Sequence, residues 1–144
     1  MAGASDGPAG FSCVFLGCSN ENYQLASSLV EAARIRLHHA ASLGEADFLL
    51  RIEDSLVLLA EEAFPRGNWR NALAMIVRRH RNVVLVVMTA SVDESVRLDA
   101  LEQGAYDVIL RPFVAEELVR TLRNADAHAR RGAPTRKVRT AGDW

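Results

Sequence analysis

Lysine is almost missing from this chain. Lys137 is the sole one among 17 basic residues, so arginine carries nearly all of the positive charge, and an arginine at any one place says less than usual about a special role. Cysteine is scarce as well: Cys13 and Cys18 are too few for a disulfide framework and lack metal-ligand spacing, which fits a reducing compartment. Long apolar runs are absent. Val83 to Met88, VVLVVM, falls far short of the ~20 residues of a membrane span. The start, MAGASDGPAG, has neither the basic nor the apolar stretch of a secretion signal, so a cytoplasmic location is expected. A formal net charge of -1 supplies no field of one sign to draw the chain onto nucleic acid or a membrane.

What remains is the composition of one globular domain, since 144 residues can bury a core without disulfides or metal. Residues 1–9 and 129–144 are rich in small and polar residues and are expected to be a flexible N-terminus and a flexible basic tail around a domain at 10–128. Within it the pattern alternates. Strands are expected at 11–16, 35–40, 55–60, 83–88 and 106–110, and helices at 21–33, 43–52, 69–80, 92–103 and 115–128. Five strands alternating with five helices imply an α/β protein: a doubly wound, flavodoxin-like (βα)5 parallel sheet of order 2-1-3-4-5. Leu25, Leu29 and Ala32, like Leu118, Leu122 and Ala125, form helical stripes of core type.

The most informative stretch is VVLVVMTASVDESVRLDALEQGAYDVILRPF, residues 83–113. The strand VVLVVM reads as buried on both faces and ends on Thr89. Ser91 and Glu94 form a capping pattern for the next helix, which Gly104 is placed to end. A second strand then runs into Arg111-Pro112. A hydroxyl and a cation thus stand at the carboxyl ends of successive strands, the edge at which open α/β sheets bind ligands. This segment resembles the end of a receiver domain from two-component response regulators, which has Thr or Ser and Lys-Pro at those places, and the resemblance spans about residues 10–126.

The resemblance implies a phosphorylation site, and the residues expected there have changed. Gly17-Cys18 stands where receivers carry the acids that hold Mg²⁺. Glu61-Glu62-Ala63-Phe64-Pro65 stands where they have Asp-x-x-Met-Pro. Alignment on Phe64 and Pro65 puts Glu61 at the phosphoacceptor position, and a shift of one residue would put Ala60 there. Mg²⁺ takes near-octahedral oxygen ligands, which Gly17 and the sulfur of Cys18 do not supply, so metal binding is expected to be lost unless Glu61, Glu62 and Glu21 rebuild it. Glu61 extends one methylene further than Asp, toward where a phosphoryl group would sit, and is expected to reach both Thr89 and Arg111 as a fixed mimic of the phosphorylated state. A plain ion pair without signalling content is the simpler alternative. An arginine fork can hold a carboxylate with two hydrogen bonds, which makes a Glu61-Arg111 lock chemically reasonable. Val108 occupies the place of the receivers' aromatic switch residue and has no comparable rotamer swing.

The expected function is that of a stand-alone receiver-like signalling protein, not an enzyme, which works through protein partners without phosphorylation. A true phosphoacceptor with an atypical site is the alternative. A thiol-dependent enzyme at the Cys18 loop is a third, weakened because a C-x5-R phosphate loop would need Arg where Gln24 stands, or Ser19 counted from Cys13. The face of the fourth helix, fifth strand and fifth helix is the expected partner or homodimer surface. Receivers of a DNA-binding subfamily dimerise there, and Arg97, Asp107 and Glu117 match positions they use, whereas Gln103 and Thr121 replace a second charged pair. Arg130, Arg131, Arg136, Lys137 and Arg139 form a basic run without an interleaved aromatic, so nucleic acid is not the expected partner.

Overall fold

The computed structural model describes residues 10–132. Its main sheet has five parallel strands: β1 (Phe11–Leu16), β2 (Ile35–Ala40), β3 (Val57–Glu61), β6 (Val84–Thr89) and β7 (Asp107–Leu110). They lie in the order β2-β1-β3-β6-β7, the expected 2-1-3-4-5 once a small hairpin of β4 (Ala63–Phe64) and β5 (Gly67–Asn68) is set aside. Five helices cover the sheet: α1 (Asn20–Val30), α2 (Leu43–Ile52), α3 (Trp69–Arg79), α4 (Glu94–Gln103) and α5 (Ala115–Arg130). None of them is long and apolar enough to cross a membrane among the described residues.

Successive side chains of a strand point to opposite faces, so a strand apolar at every position feeds two cores. On one face Val14, Leu16, Leu58 and Val87 pack with Leu50 of α2 and Ile76 of α3. On the other, Phe15, Leu59, Val86 and Ile109 pack with Val30 of α1 and Leu118 and Leu122 of α5. Each such side chain removed from water stabilises the fold by roughly 1.5 to 3 kcal/mol. α4 is the exception: Ala100 is its one buried residue, and Leu101 packs against the core only partly buried.

Helix starts follow the caps. Ser19, Ser42 and Asn68 accept backbone N–H groups at the heads of α1, α2 and α3, and Asn68 forms a reciprocal capping box with Asn71. The Ser91 cap expected for α4 is replaced by Asp93, whose carboxylate accepts the Ser95 N–H. Glu94 is then the first residue of the helix and cannot reach back as a capping box requires, while Ser91 Oγ accepts the Asp93 N–H at 3.1 Å. Gly104 closes α4 with φ 122°.

Other boundaries differ locally. β3 starts two residues later than expected, because the Ser55 N–H donates to Leu50 O and finishes the α2 turn. α1 ends at Val30, followed by a 3-10 turn over Glu31–Ala33 that Arg34 terminates with φ 65°. The helix α5 runs to Arg130, past the domain limit of 128, because the Asp126-Arg130 pair at 2.6 Å ties its last turn. The segments 1–9 and 133–144 lie outside the described residues, and with them Arg136, Lys137 and Arg139.

Candidate functional site

The site lies at the carboxyl ends of β1, β3, β6 and β7. Glu61 ends β3 and is 5% exposed, while Ala60 beside it is wholly within the core, so Glu61 is the residue that presents a carboxylate. Its Oε1 accepts the Cys18 backbone N–H at 3.2 Å. Its Oε2 accepts the Asn22 amide at 3.2 Å and Arg111 Nη1 at 3.4 Å.

Gly17 makes this arrangement possible. A Cβ there would lie 2.4 Å from Glu61 Cδ and 2.5 Å from Oε1, closer than any tolerated contact. The backbone of Gly17 is not in the left-handed region, so the glycine serves space and not conformation. The loop is also held from behind. Gly17 N donates to Ala40 O at 3.0 Å, and His39 Nε2 lies 2.9 Å from Gly17 O. A carbonyl can only accept, so His39 carries its proton on Nε2 at this contact. The imidazole stacks on Tyr23 with ring centroids 4.6 Å apart.

Glu62 handles the second functional group. Thr89, 3% exposed, donates its hydroxyl to Glu62 Oε1 at 2.5 Å and accepts the Ser91 N–H at 3.0 Å. The expectation that Glu61 would serve both Thr89 and Arg111 is therefore corrected: Glu61 takes Arg111, and Glu62 takes Thr89. The reason is local geometry. The Glu62 N–H donates to Met88 O at 2.8 Å, which anchors Glu62 beside the end of β6, while Glu61 turns toward Gly17 and Cys18. An open cleft of about 390 Å³ lies above the pair, lined also by Trp69, Arg70, Ser91 and Arg111. Arg70 stacks on Trp69 and pairs with Asp99 of α4.

These donors decide the fit to a divalent cation. Mg²⁺ needs oxygen ligands, whereas the Glu61 oxygens face two N–H donors and a guanidinium, and Gly17 has no room for a ligand-bearing side chain. The residues present do not fit the ion as receivers are expected to hold it. Cys18 is exposed, and its backbone N–H is already given to Glu61 instead of being free for an anion. Burial, with the charge of Asp126, pushes the Cys13 thiol well above its ordinary value, which leaves it inert.

Val108 is 6% exposed and lies below a second hollow beside Thr89 and Arg97. Arg97, with its side chain 46% exposed, already has contacts within the chain. It lies 3.6 Å from Glu94 and 3.8 Å from Asp107, and donates to Val108 O at 3.3 Å. Glu117, on α5, makes no ion pair among the described residues. Asn22, His39 and Arg70 are not singled out by the sequence, and Glu62 is named there only as a possible metal ligand, not as the partner of Thr89.

No protein-family model matches the chain. The signal receiver domain of a LuxO repressor protein from Vibrio parahaemolyticus superposes with a TM-score of 0.76 at 14% identity, covering 85% of this chain and 95% of that one. The chain has the fold of a receiver domain. The beryllofluoride-activated NtrC4 receiver domain dimer superposes with a TM-score of 0.74 at 19% identity, over 82% of this chain and 98% of that one. In sequence, the receiver-like chain is 30% identical over 86 residues to the transcriptional regulator NtrC of Escherichia coli, covering 60% of this chain and 18% of NtrC. It is 28% identical over 100 residues to KdpE of Staphylococcus aureus, covering 68% of this chain and 42% of KdpE. The chain thus spans less than half the length of these curated relatives.

Proposed function

We propose that this chain is a pseudo-receiver of two-component signalling, acting in the cytoplasm through protein contacts and without phosphorylation or Mg²⁺. It is a binding module and not a catalyst. The observation that carries this reading is the division of labour between the two glutamates. A phosphoryl group on a receiver offers negative oxygens to a hydroxyl on one strand end and a cation on the next. Here Glu62 offers an oxygen to Thr89, and Glu61 offers both of its oxygens to Cys18, Asn22 and Arg111. Both recruiting groups are already satisfied by the chain's own carboxylates, and Val108 cannot report a change through a large rotamer swing.

Phosphorylation of Glu61 would require its carboxylate to leave three donors and accept a dianionic group at a place whose side chains do not offer Mg²⁺ the oxygen ligands it needs. The partner face is that of α4, β7 and α5. It exposes Val92, Leu98, Leu110 and Val114, and the NtrC4 receiver it resembles in fold is a dimer. Incubation with acetyl phosphate and Mg²⁺, followed by intact mass measurement, tests the reading. No phosphoryl increment is expected. An increment lost in Glu61→Gln would overturn phosphorylation independence and install the atypical phosphoacceptor in its place.

A further inference from the structure

The hollow between the β6-α4 connection and β7 shares Thr89 and Ser91 with the two-glutamate site, but neither glutamate lines it. It encloses about 300 Å³, and Val108 and Thr89 form its floor. That volume is at the bottom of the range for small-molecule pockets, about 300 to 1,000 Å³, so it suits a single ring better than a whole ligand. Its apolar rim consists of Val92, 84% exposed, and Leu110, 42% exposed, both unusually open for branched aliphatic residues.

Charge selects the kind of ring carrier. Asp93 and Glu94 stand on the rim, and Asp107 leaves Arg97 partly neutralised from below. Hydrogen bonds from the Ser95 backbone and side chain hold the Asp93 carboxyl below its ordinary value of 3.8, so it stays ionised through the neutral range. The rim is therefore net acidic. Arg97, bonded to Val108 O, lines the hollow where its guanidinium can lie against a ring face.

We propose that this hollow is a docking slot for one aromatic side chain on a basic segment of a partner protein. The proposal rests on the reading of the α4-β7-α5 face as a partner surface and adds the chemistry of the partner. Aromatic anchors in small desolvated pockets dominate interface energetics, and exposed acids around them speed encounter with a cationic segment.

The test uses three short peptides: one tryptophan flanked by lysines, the same with alanine for tryptophan, and the same with glutamates for lysines. Titration of the full chain is followed by amide and methyl chemical shifts. The lysine-tryptophan peptide should move Val92, Val108 and Leu110 saturably. Loss of the ring should weaken binding by about tenfold or more, and charge reversal should weaken it by an amount that shrinks with added salt. Val108→Phe should fill the slot from within and reduce the affinity similarly. Val92→Ser, on an exposed rim position that cannot unfold the core, removes apolar surface without changing the charge and should do the same. Shifts centred elsewhere, an alanine peptide that binds equally well, or affinity indifferent to both variants would overturn the slot. The outcome is separable from phosphoryl uptake: a chain that takes up phosphate yet binds the ring keeps the slot, and one that does neither loses the slot alone.

Discussion

Gly17→Ala is the smallest change that challenges the site. The new methyl group would approach Glu61 Cδ to 2.4 Å, about 0.6 Å inside the 3.0 Å limit for real contacts. The carboxylate must withdraw, and its bonds of 3.2, 3.2 and 3.4 Å to Cys18, Asn22 and Arg111 are too long to survive such a shift intact. Hydrogen bonds to charged groups contribute about 1.5 to 3 kcal/mol each, and Glu61 at 5% exposure recovers little hydration in return. Some relaxation is available because the obstacle is the end of a side chain, so the expected cost is about 2 to 4 kcal/mol.

The same Gly17→Ala change in a Glu61→Ala background meets no carboxylate and should cost less than about 1 kcal/mol. Arg111, at 24% side-chain exposure, can turn to solvent there, so the background should still fold. Urea denaturation of the four proteins gives the coupling. A value of about 1.5 to 3 kcal/mol is expected, and additivity within about 0.5 kcal/mol would refute the reasoning.

Asp47 of α2 gathers His80 at 2.6 Å and Arg79 at 3.1 Å. Burial pushes its carboxyl up, but the hydrogen bonds and charges of His80 and Arg79 outweigh this and hold it below its ordinary 3.8. Its stabilising contribution is therefore complete above about pH 3.8 and lost as pH falls through the lower folded value. Asp47→Asn should cost roughly 1 to 3 kcal/mol at neutral pH, with the gap to the parent closing in acid, as followed by pH-dependent chemical denaturation. Leu118→Ala empties a fully buried position between α5 and the sheet and should cost about 2 to 5 kcal/mol by the same assay. Arg97→Glu places a fourth acid beside Glu94, Asp107 and Asp93; it should cost less than about 1 kcal/mol in the monomer, and sedimentation should show weaker self-association if the α4-β7-α5 face pairs copies.

The five main strands were legible because four of the five sit with apolar side chains on both faces, and apolar runs of that length bounded by capping residues have few other uses. The β4-β5 hairpin was not, since strands of two residues carry no period. The first turn of α4 misled because Ser91-x-x-Glu94 fits a capping box, while Asp93 offers an equally good cap two positions later. At the site, the spacing from Phe64 and Pro65 pointed to Glu61 but left Ala60 open, and it is the burial of Ala60 in the core that leaves Glu61 as the side chain at the strand end. The partnership of Thr89 with Glu62 was beyond reach, because adjacent side chains at a strand end diverge according to backbone torsions that no residue pattern encodes.

The central claim is that two glutamates hold the two halves of the site separately. Backbone amide and arginine side-chain shifts of Glu61→Gln and Glu62→Gln, recorded against the parent chain, test it most directly. The account predicts that Glu61→Gln moves Cys18, Asn22 and the Arg111 guanidinium, whereas Glu62→Gln moves Thr89 and Ser91. Shifts confined to the substituted residue in either variant, or Thr89 responding to Glu61→Gln alone, would contradict it.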